Sequence, residues 1–130
     1  LKTSQQQFKN ATRTYDPAQA AMHNHQFHQI IGDMSQNCYL IPSLQRMLID
    51  HTRLSQTFYR PASPAESALV RQACDQHDEM IDAIENQQAE RAVELTLQHW
   101  ALSQDRMERF VRPDPLPVDL ASARETANAV

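Results

Sequence analysis

Three of the six histidines in this 130-residue sequence fall on separate predicted helices, each at the apolar face. His77 lies in line with Ala73 at helical spacing, His99 lies in line with Leu95, and His28 borders the apolar face of an earlier helix. Buried imidazoles cost free energy unless their polar atoms are paired. One shared divalent metal would satisfy all three, since imidazole nitrogen is a common ligand of zinc, nickel, copper and iron.

The residues around these histidines limit the chemistry of such a site. Asn24 lies one helical turn before His28, so its side-chain oxygen could be a fourth ligand. His25 is the alternative, although it points somewhat away from His28. The positions three residues before the three histidines hold His25, Cys74 and Thr96, so the Glu-x-x-His pairs of di-iron centres are absent. HExxH and phosphate-binding glycine loops are absent too. Without a nearby carboxylate base, the site is better suited to holding a molecule than to breaking one, and we predict that the protein is not an enzyme.

Two further residues are candidates for contact with a ligand. His51 lies on the apolar face of the third predicted helix, where it is either a core histidine bonded to a carbonyl or part of a cavity wall above the metal. Arg106 lies two turns after His99 on the same face. Its guanidinium either extends to solvent or pairs with a carboxylate ligand. The sequence leaves both alternatives open for each residue.

Positioning these side chains requires helices, and the composition predicts an all-α fold. One glycine and seven prolines disfavour the many turns of a β-sandwich or barrel. A capping residue precedes proline at Asp16 and again at Ser63, which is typical of helix starts. Five helices are predicted, over about residues 4–14, 17–34, 39–59, 64–85 and 88–112. The predicted core positions include Met34, Leu69 and Val93. We expect residues 1–112 to form an antiparallel bundle and residues 113–130 to form a mobile, proline-rich tail.

Charge and hydropathy exclude several classes of protein. The net charge is −4 and no basic stripe is visible, so this chain is not expected to bind nucleic acid by itself. No apolar run approaches the roughly 20 residues that span a bilayer. Cys38 and Cys74 are too few for a disulfide framework. We therefore predict a cytoplasmic protein without a membrane partner.

Three segments of the chain resemble, in order and spacing, the effector domain of GntR-type transcription regulators. The first is NHQFHQII at 24–31 with SQNCYL at 35–40, the second is QHDEMIDAI at 76–84 with residues 89–92, and the third is Gln98 with His99. The resemblance is closest to the FadR C-terminal (FCD) subgroup and covers roughly residues 16–112. It implies a helical bundle that forms a homodimer and binds a small organic acid, often through a bound metal.

The resemblance also implies particular ligands. Family members hold the metal with an Asp or Asn and three histidines, which correspond here to Asn24, His28, His77 and His99. Aspartate is the commoner residue at the first position, and the neutral Asn24 leaves more of the metal charge uncompensated. Such regulators begin with a winged helix-turn-helix, which this chain does not contain. We therefore expect the chain to be the C-terminal part of a longer regulator.

These observations lead to a functional prediction with two alternatives. The prediction is the sensing and dimerisation domain of a bacterial metabolite-responsive regulator, with a small carboxylate effector and zinc or nickel. The effector would favour one arrangement of the dimer and so move the absent DNA-binding domains. One alternative is a metal-dependent helical-bundle enzyme, a small-molecule transferase or hydrolase. The other is a structural bundle whose histidines are core residues.

Overall fold

The computed structural model describes the backbone of residues 1–111 and the side chains of residues 1–105, 107 and 108. This part of the chain forms five α-helices and no strand, so the all-α prediction is confirmed. The helices are α1 (Lys2–Arg13), α2 (Pro17–Met34), α3 (Leu40–Phe58), α4 (Pro64–Glu85) and α5 (Ala89–Val111). The predicted tail, residues 113–130, lies outside the described residues.

The predicted capping residues begin α2 and α4. Asp16 accepts a hydrogen bond from the backbone N–H of Gln19 at 3.0 Å. Ser63 Oγ accepts one from the N–H of Glu66 at 3.2 Å, and the Glu66 carboxylate accepts one from the N–H of Ala62. Each cap satisfies a backbone donor that the first turn of a helix leaves free, and proline follows at the next position.

The scarcity of glycine does not prevent tight helix ends. Tyr15, Gln36 and Gln87 adopt left-handed φ angles of 56°, 52° and 56° just after α1, α2 and α4, at a cost of roughly 1–2 kcal/mol each. Gly32 lies inside α2, where a Cβ atom would collide with the side chain of Leu44. The one glycine of the sequence therefore permits a close approach of α3 to α2.

The five helices pack as a closed bundle that does not follow chain order. α2 contacts α1 and α3, α4 contacts α1 and α5, and α3 contacts α5. Around the bundle the helices therefore follow one another in the order α1, α2, α3, α5 and α4, and α4 contacts α1 again. As a result, α2, α4 and α5, which carry the three singled-out histidines, share one interior.

His77 separates two apolar clusters in that interior. One cluster contains Phe8 and the other contains Phe27, and both phenylalanines are fully buried. The His77 ring stacks on Phe27 with ring centroids 3.9 Å apart, and its centroid is 4.9 Å from that of Phe8. A polar layer therefore lies between two halves of the core.

Three apolar residues predicted to be in the core are exposed instead. Met34 is 54% exposed because it is the last residue of α2, and Val93 is 61% exposed on the outer face of α5. Leu69 precedes the buried Val70, so the helical period turns it towards solvent.

None of the described helices is long and apolar enough to cross a membrane.

Candidate metal centre

Three helices each bring one imidazole to the same point inside the bundle. His28 comes from α2, His77 from α4 and His99 from α5, and one ring nitrogen from each lies within 4.8 Å of the others. We call these residues the histidine cluster. Its members are the three histidines that the apolar faces of the predicted helices identified, so the structure brings together residues that are far apart in sequence.

The spacing of two of these nitrogens suits a shared metal. His77 Nε2 and His99 Nε2 are 3.2 Å apart. Two nitrogens on one tetrahedral zinc ion are about 3.3 Å apart, given zinc–nitrogen bonds of about 2.0–2.1 Å. The His28 ring centroid lies 5.3 Å from those of both other rings. The histidine cluster is therefore compact enough to surround one ion.

The surroundings keep the histidine cluster neutral, since His77 is buried and His28 and His99 are half-buried. Desolvation, with a smaller contribution from the neighbouring histidines, holds the pKa of His28 and of His77 well below the ordinary 6.5. Burial and the nearby His51 lower the pKa of His99 to about 4. Near pH 7 each ring therefore has one nitrogen lone pair, which is the form that binds a metal ion.

Gln5 of α1 determines which nitrogen of His77 carries the proton. The Gln5 amide nitrogen donates to the Cys74 carbonyl oxygen at 2.8 Å and to Asp78 Oδ1 at 3.0 Å. The Gln5 oxygen therefore faces His77 Nδ1, at 2.9 Å, and accepts its proton. His77 Nε2 is left with a free lone pair that points towards His99.

Gln76 performs the same role for His99. Its Oε1 lies 3.3 Å from His99 Nδ1, so His99 Nε2 also presents a lone pair. Two lone pairs at 3.2 Å repel each other. Either a proton on one nitrogen or a cation between them must relieve the contact. Metal-binding imidazoles usually donate their outer N–H to a carboxylate, a backbone carbonyl or water, and the two glutamine oxygens can accept in the same way.

Asn24 has a buried, unsatisfied oxygen one helical turn before His28. The residue is 1% exposed, and its Oδ1 has no hydrogen-bond partner. It lies on the same face of α2 as His28, one turn earlier. A buried carbonyl oxygen without a partner costs free energy, which a metal ion would recover. The alternative ligand, His25, instead donates from Nδ1 to Thr52 Oγ1 of α3 at 2.7 Å.

A cavity of 330 Å³ adjoins the histidine cluster between α2, α3 and α5. His28, His99 and His51 contribute to its wall. His51 Nδ1 is buried without a hydrogen-bond partner, so this nitrogen does not form the bond to a carbonyl that was one of the two alternatives for His51. Trp100 lines the same cavity with its ring centroid 5.8 Å from that of His51.

The sequence identified the histidines but missed their partners. Gln5 and Gln76 were not predicted as site residues, although Gln5 lies one turn before the buried Phe8 and so shares its face. The backbone of Arg106 belongs to α5, but its side chain, predicted to face a ligand, lies outside the described residues.

Comparison with known families identifies the domain. The FCD domain model matches residues 1–102, and the chain belongs to the FCD domain family. This match confirms the FCD part of the resemblance. FCD domains are the ligand-sensing regulatory domains of GntR-type regulators. No curated protein and no solved structure matches the chain.

We expect the free energy of unfolding of the metal-free chain to fall steeply below pH 6.5. The pKa values of His28, His77 and His99 are lower in the folded chain, so the unfolded chain takes up protons first. The free energy of unfolding is therefore highest above about pH 6.5, the pKa of histidine in the unfolded chain. It decreases as the pH falls towards about 4, the pKa of His99 in the folded chain. Each histidine contributes up to about 1.4 kcal/mol per pH unit. Urea denaturation with a chelator, from about pH 7.5 to about pH 5, measures this slope.

The variant His99→Asn provides the matched comparison. It removes one of the three titrating groups, so the slope of the unfolding free energy against pH should decrease by the contribution of about one proton. An unfolding midpoint that is independent of pH between about 6.5 and 5 would contradict the neutral burial of the histidine cluster.

Proposed function

We propose that this FCD domain senses a small carboxylate at a divalent metal ion, zinc or nickel. The metal ligands would be His28, His77 and His99, with Asn24 Oδ1 as the fourth. The domain would belong to a homodimeric, GntR-type transcription regulator that contacts DNA through a winged helix-turn-helix outside this chain. The proposal extends the family's ligand-sensing role to a particular site.

The observation that carries the proposal is the approach of His77 Nε2 and His99 Nε2 to 3.2 Å. Their outer nitrogens are occupied by Gln5 and Gln76, so neither ring is free to turn away. The unpartnered Asn24 oxygen lies on the same helix face as His28. These donors fit a divalent cation, which would satisfy all of them together.

A divalent ion at this point would supply positive charge, and a coordination number above four would leave a position for a carboxylate beside the three histidines and Asn24. The chain's own residues perform the remaining tasks. Gln5 and Gln76 orient the imidazoles, and Phe27 stacks on His77 and fixes its plane. Burial keeps the rings unprotonated, so the site is ready to bind near pH 7.

Regulation requires that the ligand distinguish two arrangements of the protein. A ligand changes DNA affinity only as far as its own affinity differs between those arrangements. The exposed Val93, Leu97 and Trp100 of α5 give the bundle an apolar outer face that supports self-association. Homodimerisation is therefore part of the proposal, because half-site spacing on DNA must match dimer geometry.

The enzyme alternative has less support. Among the described residues, the group that could hold a metal consists of histidines alone, and no carboxylate belongs to it. Metal-assisted hydrolysis commonly needs a general base close to the metal-bound water. Holding an effector needs no such group, which favours sensing over turnover.

The proposal predicts about one equivalent of zinc or nickel per chain. Elemental mass spectrometry of untagged protein that was never exposed to chelator measures this ratio. The double variant His77→Ala/His99→Ala should lose the metal because it removes the two facing nitrogens. Wild-type protein that stays metal-free after metal is added back would contradict the proposed site.

A second prediction tests the supporting role of Gln5. Gln5→Met keeps the buried volume but removes the acceptor of the His77 proton. Zinc affinity, measured by competition with a chromophoric chelator, should fall about 10- to 100-fold. Gln6→Met is the matched control, because exposed Gln6 bonds only to Asn10 one turn away. Equal zinc affinity in the two variants would show that Gln5 has no role in the site.

A third prediction concerns the neutral ligand. Asn24→Asp places a negative charge beside the ion and should tighten zinc binding by on the order of tenfold or more, since about 1.4 kcal/mol of added attraction suffices. Asn24→Leu removes the oxygen and should weaken binding. The same competition assay measures both variants. If neither change alters zinc affinity, Asn24 is not a ligand.

A further inference from the structure

The cavity beside the histidine cluster has a predominantly hydrocarbon wall. Leu40, Leu44, Met47 and Leu48 of α3 face Trp100 and Leu102 of α5 across it. Its volume of 330 Å³ lies within the usual range for small-molecule sites, which begins at about 300 Å³. A wall of this kind stabilises a bound molecule by removing its apolar surface from water.

The serine and threonine hydroxyl groups in the wall are already engaged, and Tyr59 is the other hydroxyl residue that lines it. Ser35 Oγ donates to the Gly32 carbonyl oxygen at 2.6 Å, and Thr96 Oγ1 donates to the Ala92 carbonyl oxygen at 2.8 Å. Ser55 and Ser103 also donate to carbonyl oxygens within their own helices. These groups have no further proton to offer a ligand, so a second carboxylate against them would be desolvated without a donor.

One wall residue has an unused polar atom. His51 Nδ1 is buried without a partner, and His51 is an electrostatic neighbour of both His28 and His99. The available polar contacts in the described wall therefore concentrate beside the histidine cluster. No lysine or arginine is among the described lining residues. The cavity accordingly has one polar region and a larger apolar region.

We propose that the effector is a monocarboxylic acid with an extended hydrocarbon body, a medium-chain or aromatic acid. This inference rests on the proposed function, because it places the carboxylate at the histidine cluster and His51. The hydrocarbon body fills the cavity between α3 and α5. Hydroxylated di- and tricarboxylic acids are disfavoured, because the serine and threonine hydroxyls of the described wall have no free proton for a second polar group.

The test uses the 130-residue chain loaded with zinc and a series of acids. Isothermal titration calorimetry compares butanoate, hexanoate and octanoate with succinate, adipate and suberate, the dicarboxylates of equal carbon number. We expect the Kd to fall about two- to fourfold for each added methylene of the monocarboxylates. Each dicarboxylate should bind at least about tenfold more weakly than the monocarboxylate of its length.

Two substitutions on α3 separate the cavity from the general surface. Met47 lines the cavity and is 51% exposed, whereas Ile49 is 59% exposed and is not in the wall. Met47→Gln should weaken octanoate binding several-fold and change butanoate binding less. Ile49→Gln should match the wild type with both acids. Circular dichroism of each variant verifies that the helices are retained.

The outcomes distinguish this inference from the function on which it rests. Tighter binding of adipate than of hexanoate would overturn the apolar effector but leave carboxylate sensing intact. If a zinc-loaded chain binds none of the six acids, both proposals fail. If Met47→Gln leaves octanoate affinity unchanged and instead abolishes a dimer seen by light scattering, this surface is an interface between copies and the inference is wrong.

Discussion

The structure depends on three imidazoles, one buried and two half-buried, that meet at one point inside a small helical bundle. Burial requires that the rings be neutral and that their outer nitrogens have acceptors. Gln5 supplies one acceptor from α1, and its amide nitrogen also bonds to the Cys74 carbonyl oxygen of α4. Ser4, beside it, donates to the His23 carbonyl oxygen of α2. The hydrogen bonds of Gln5 therefore align α1 with α4, and the neighbouring bond of Ser4 aligns it with α2.

This polar layer divides the core and gives the bundle its order. His77 lies between the Phe8 cluster and the Phe27 cluster and contacts both aromatic rings. An apolar residue in that place would give a simpler core but no site. Satisfied buried networks specify one packing arrangement more sharply than apolar contacts do, because a shifted helix would leave several polar groups unpaired. In this bundle the site and the alignment of the helices have the same cause.

The sequence predicts local features well and non-local ones poorly. The starts of α2 and α4 follow from Asp16 and Ser63, and the histidine positions follow from helical spacing, because both depend on nearby residues. Gln5 was missed because a glutamine is normally exposed, and only its distant partner His77 makes burial favourable. The contact between α3 and α5, and with it the cavity, depends on the order in which five helices close. Periodicity carries no information on that order.

The place of α3 explains how a site built on other helices could control the rest of the molecule. The histidine cluster belongs to α2, α4 and α5, whereas α3 contributes His51 and much of the adjoining wall. Within α3 only Leu48, Ser55 and Phe58 are buried, so this helix has fewer buried residues than α4. A molecule between α3 and α5 would replace missing contacts on the side of α3 that faces the cavity. Packed cores switch between discrete arrangements. We therefore expect ligand affinity to differ most between two arrangements of the contact between α3 and α5.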